Sequence, residues 1–103
     1  MGARTVAEVE APIIRLSPGS QPLAAGPRGV LAGYEWVVGR RHRAPVSGAD
    51  IMSRLPSDVQ IAGEEHVALR QLHDWTPDLQ VRDFASGVAL ALAWVLGHTN
   101  DQP

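Results

Sequence analysis

The chain has 103 residues with nine arginines, eleven acidic residues, four histidines and a net charge of −2; cysteine and lysine do not occur. That vocabulary excludes disulfides, thiolate nucleophiles, Cys-ligated zinc, Schiff-base chemistry and the phosphate-binding lysine of a P-loop. Its size suits one domain, its 45% hydrophobic and 19% charged content is that of a folded protein, and the near-neutral balance gives no global pull toward nucleic acid or anionic lipid.

Residues 1–27 carry prolines at 12, 18, 22 and 27 and glycines at 2, 19 and 26, a density of breakers that argues against a long element. We expect a Pro-rich arm, either an extended strap through Pro12-Ile13-Ile14-Arg15-Leu16 or an unstructured leader, with a turn at Ser17-Pro18-Gly19-Ser20. Met1 to Ile14 lacks the basic and apolar regions of a secretion signal, because Glu8, Glu10 and Pro12 interrupt it. A cytoplasmic protein is expected, and the arginine-only, Ala/Gly/Pro/Val-rich composition suggests a GC-rich bacterial genome.

The first helix is predicted over residues 28–38, entered through Pro27 and capped by Gly39. Val30, Leu31, Tyr34, Val37 and Val38 share its core-facing stripe. Trp36 projects from the other side, beside Gly29, Ala32 and Gly33. A loop follows to about Pro56, with a turn of helix expected over Ser47–Met52. Its Arg40-Arg41-His42-Arg43 run has two readings. Positive charge after a helix C-terminus is favoured by the helix dipole, and Arg40, Arg41 and Arg43 are also candidate contacts for an anion or nucleic acid.

A second helix is predicted over 57–73, opened by the Ser57-x-x-Gln60 capping box with Asp58 in its first turn and ended by Trp75-Thr76-Pro77. On it Glu65 falls in the apolar arc between Ile61, Ala68, Leu69 and Leu72, with His66 and His73 at the arc's edge. Two histidines seven residues apart lie about 10 Å apart along a helix, too far to share one ion. The reading preferred for Glu65 is a structural ion pair with an arginine such as Arg28 or Arg82, and no catalytic residue, cofactor or metal site is assigned. The glycines of Gly26-Pro27-Arg28-Gly29 precede a helix but match no nucleotide-binding fingerprint.

The third helix is predicted over 80–97, with Val81, Phe84, Ala85, Val88, Leu92, Val95 and Leu96 as its core stripe. Its longest apolar run, Val88 to Leu96, spans nine residues, about half of the roughly 20 that a bilayer crossing takes. No membrane partner is expected. A polar tail completes the chain over 99–103.

The segments Gly29–Gly39 and Gly87–Gly97 repeat the order Gly-Val…Trp-Val-x-Gly. On each, the tryptophan stands beside small residues on a face away from the core stripe. Two readings follow: the rings complete the core, or this surplus apolar surface meets an additional layer, whether a partner or the folded-back arm. The expected architecture is therefore an all-α, compact three-helix domain over 28–98, with helices one and three packed on helix two. The expected function is a non-enzymatic interaction module, a homo-oligomer or a chain docked on a larger protein, through Gly33, Trp36, Gly87, Leu90, Ala91 and Trp94. The alternative is a nucleic-acid-associated regulator acting through the Arg40–Arg43 loop.

Overall fold

The computed structural model describes residues 4–17, 23–50, 55–73 and 78–103. Four helices occur among them and no strand: α1 (Val6–Leu16), α2 (Ala25–Val37), α3 (Asp58–His73) and α4 (Leu79–Leu96). The helical class stands; the helix count and the arm do not.

Where an extended arm was expected, residues 6–16 are helical. Thr5 and Glu8 form a capping box: the Glu8 N–H donates to Thr5 Oγ1 at 3.2 Å and the Thr5 N–H donates to Glu8 Oε1 at 3.1 Å. Val9, Pro12 and Ile13 then fall on one side, at three- and four-residue spacing, and all three are buried. A proline inside a helix costs about 3 kcal/mol. Burial of this stripe and the cap at Thr5 offset that cost, so the proline that argued against a helix becomes part of its packed face. The turn expected around Pro18 lies outside the described residues.

The other boundaries follow their local signals closely. α2 starts three residues ahead of the predicted position, with Pro27 in its first turn, and ends beside Gly39 at φ 86°. α3 carries the expected capping box: Gln60 N–H donates to Ser57 Oγ at 3.1 Å, and Ser57 N–H donates to Gln60 Oε1 at 2.8 Å. Asp78 caps α4, its Oδ1 accepting from the N–H groups of Gln80 and Val81, and Gly97 closes it at φ 81°. Trp75-Thr76-Pro77 lies outside the described residues, as do residues 51 and 52 of the Ser47–Met52 turn. The remainder of that loop folds back through an isolated antiparallel bridge between Arg43 and Asp50.

The helices pack in the order α1 on α2, α2 on α4, and α4 on α3. Helices one and three were expected to pack on helix two of the sequence reading, which is α3. Instead α2 and α4 pack directly on each other, and only α4 makes an extensive contact with α3. The cause is the small-residue face of each. A methyl group at Gly29 would collide with the Phe84 carbonyl oxygen, and one at Gly87 with the Gly26 carbonyl oxygen and, at 2.9 Å, the Val30 nitrogen. Backbone meets backbone at this crossing. α2 is thereby buried on two sides, toward α1 and toward α4, with Gly29 through Tyr34, Trp36 and Val37 all inside.

Candidate interaction surface

Five of the six residues read from sequence as an interface lie inside the chain: Gly33, Trp36, Gly87, Ala91 and Trp94. The two tryptophans, equivalent in the sequence pattern, occupy different environments. Trp94 lies edge-on to Tyr34, ring centroids 5.8 Å apart at 75°, and the guanidinium of Arg4 stands 4.7 Å from its ring centre. Trp36 shares the wall of a depression with Ala44, Gly63, Glu64 and Val67, between α3 and the loop. The Gly33 face meets Ala91, a Cβ there falling 3.2 Å from the Ala91 methyl. The additional layer that the second apolar faces required is supplied within the chain, by α2 and α4 for each other and by α1 against α2, with Arg4, just ahead of α1, over the Trp94 ring.

Leu90 is the sixth, and it is 53% exposed in the middle of the apolar helix α4. It borders a groove of about 460 Å³ whose walls include Leu16, Pro27, Val30, Ser86 and Asp83. The groove's floor is the Gly26–Gly87 crossing. Gly26 and Gly29, weighed as an anion-binding turn, serve this close helix contact.

The arginine run divides. Arg41 donates from Nε and Nη2 to Glu35 Oε1, at 3.2 and 3.0 Å, a surface pair worth little in stability. Arg40 and Arg43 are exposed beside it, and the Arg40 N–H closes the end of α2 by donating to the Glu35 carbonyl oxygen at 2.8 Å.

On α3 the buried carboxylate is Glu64, at 4% exposure, and not the Glu65 expected from projection. Ile61, Glu64 and Ala68 form the inward stripe, while Leu69 is exposed and Leu72 half-buried, so the inner face is rotated by about one residue. Glu64 Oε2 accepts from the N–H groups of Val46 and Ser47, at 2.6 and 3.0 Å, and so fixes the loop to the helix. Glu65 is paired, though with His98 rather than an arginine: its carboxylate lies 3.2 Å from His98 Nδ1. Arg28 stands over Phe84 instead, 6.0 Å from its ring centre. His66 and His73 are exposed, and among the described residues no three acidic or histidine side chains converge on one point.

Among the described residues burial also reaches two polar side-chain atoms that find no partner, Tyr34 Oη and Trp36 Nε1. Desolvation pushes the Tyr34 hydroxyl up to about 12, with nearby Arg15 acting in the opposite sense. By length and composition α4 reaches the range of a bilayer-crossing helix. The sequence reading counted only its uninterrupted apolar run; a core helix packed on two neighbours reaches the same range. Comparison with protein-family models, curated proteins and solved structures returns no match.

Proposed function

We propose that this chain is a small non-enzymatic interaction module, cytoplasmic and without a membrane partner, that self-associates through the outer face of α4. One observation carries the reading: Leu90 is a half-exposed apolar side chain beside an apolar groove, so projection and recess lie on the same patch. A two-fold interface requires a self-complementary patch of this kind, since each copy then places its Leu90 in the other's groove. Such a centre, with Asp83 at its rim, has the pattern of an apolar anchor surrounded by polar groups.

Light scattering on the purified chain tests this directly. We expect a concentration-dependent dimer that Leu90→Asp converts to monomer while the melting temperature holds within a few degrees, because Leu90 supports no internal packing comparable to Leu92. A wild-type chain that stays monomeric at high concentration defeats self-association and leaves a larger protein as the partner of the same groove. The second reading, a nucleic-acid-associated regulator, is favoured by the exposure of Arg40 and Arg43 and weakened by the pairing of Arg41 with Glu35. It requires binding that falls steeply with salt, and a flat response in a shift assay ends it.

A further inference from the structure

The depression beside Trp36 differs in chemistry from the Leu90 groove. It has a volume of about 380 Å³, within the range of small-molecule sites, and lies between the end of α2, the 44–50 loop and α3. Three features coincide there. Glu64 is a buried carboxylate whose two hydrogen bonds both come from main-chain N–H groups and both reach Oε2. They satisfy one oxygen and bring no counter-charge; among the described residues no basic side chain lines the depression, and Asp50 adds a second acid at its edge. Trp36, on the wall, keeps an indole N–H without an acceptor. Space is left open at Gly63, where an added methyl group would meet no atom within 4 Å. A depression with a buried carboxylate that no basic side chain of the described residues faces, and with an aromatic residue in its wall, favours a cation.

We propose that this depression binds an organic cation, a guanidinium or alkylammonium group on a short stem. Its N–H donors meet Glu64 Oε1, beside the wall that Trp36 forms. The cation is either a free small molecule or an arginine of a second copy, and the test separates these sources.

In the ¹⁵N-labelled full chain the indole N–H signals are counted singly, and a Trp36→Phe variant identifies that of Trp36. N-acetyl-arginine amide is the probe, with the neutral N-acetyl-citrulline amide as control. We expect a saturable shift of the Trp36 signal with the arginine probe and binding roughly tenfold or more weaker with the citrulline one. Glu64→Gln retains an oxygen for the Val46 and Ser47 N–H groups and should weaken binding to a similar degree; Gly63→Leu should abolish it by filling the space. A Trp36 shift produced by concentrating the protein alone, and lost in Glu64→Gln, supports the site with a second copy's arginine as its ligand. The proposal is overturned if the Trp36 signal responds to neither probe nor concentration, if both probes shift it equally, or if Gly63→Leu, with its remaining spectrum native, binds as the wild type does. Should Glu64→Gln not fold, the citrulline comparison and Gly63→Leu decide.

Discussion

Tyr34 concentrates the costs of this core in one side chain. Its ring is fully buried and stacks edge-on with Trp94, while its hydroxyl has no hydrogen-bond partner and a pKa of about 12. A phenol whose folded pKa lies above its unfolded value of about 10 keeps its proton in the native state after the unfolded chain has lost it. Stability is therefore full below about pH 10 and declines as pH rises toward 12. We expect Tyr34→Phe to match or exceed the wild type in urea at pH 7, because it removes an unsatisfied polar atom, and to lose less stability between pH 9 and 11 (about the limits of convenient measurement). A steeper alkaline loss in the variant would contradict this account. Glu64 gives the corresponding lesson in reading a helix: Ile61, Ala68, Leu69 and Leu72 are compatible with two inward faces about one residue apart. The loop's N–H groups, which need an acceptor, select the face that carries Glu64.

Between elements the decisive contact is the α2–α4 crossing, and it explains why small residues recur in both segments. Glycine in a helix interior costs roughly 1 kcal/mol relative to alanine, so its presence at Gly29 and Gly87 needs a compensating reason. Close backbone approach is that reason. Gly87→Ala should cost about 3 kcal/mol or more, since the new methyl meets main-chain atoms on the facing helix that cannot swing aside. Gly63→Ala, on an open face of α3, should instead raise stability by somewhat under about 1 kcal/mol through helix propensity alone. Chemical denaturation of the two variants checks both signs. Equal effects would mean that the crossing can part without cost. α1 shows the opposite balance, its proline tolerated because the residues around it are capped and buried.

Across the whole molecule, α1 and Arg4 just ahead of it are tied to the end of α4 and the tail. Arg4 donates from Nε to the Trp94 carbonyl oxygen at 3.0 Å and from Nη2 to that of Thr99 at 3.2 Å, with its guanidinium over the Trp94 ring. Arg15 donates to Gln102 Oε1 and to the Pro103 main-chain oxygen, both at 3.0 Å. These bonds join segments some ninety residues apart in sequence. Arg4→Ala should cost about 1–2 kcal/mol and speed amide exchange in α1 more than in α3. Exchange that rises evenly across the helices would show that α1 does not open separately. The same arrangement leaves Leu90 as the member of the sequence-derived interface that faces outward, which is why the proposed association rests on one groove rather than on two tryptophan faces.

The sequence by itself determined the helical class, the caps at Ser57 and Gly97 and most of the core stripes of α2 and α4, because these depend on residues within one or two turns of each other; Val81, read as the start of the α4 stripe, is exposed in the first turn. It also showed that both tryptophan segments carry a second apolar face. Only the tertiary structure decided what covers those faces: α2 against α4 through glycine, α1 against α2, and Arg4 over Trp94. The same holds for the rotation of α3 toward Glu64, the pairing of Glu65 with His98, and the burial that offsets Pro12 in α1, a helix whose start the Thr5-x-x-Glu8 capping box marks locally. Each depends on a partner distant in the chain, and an amphipathic pattern states that a face must be buried without stating against what.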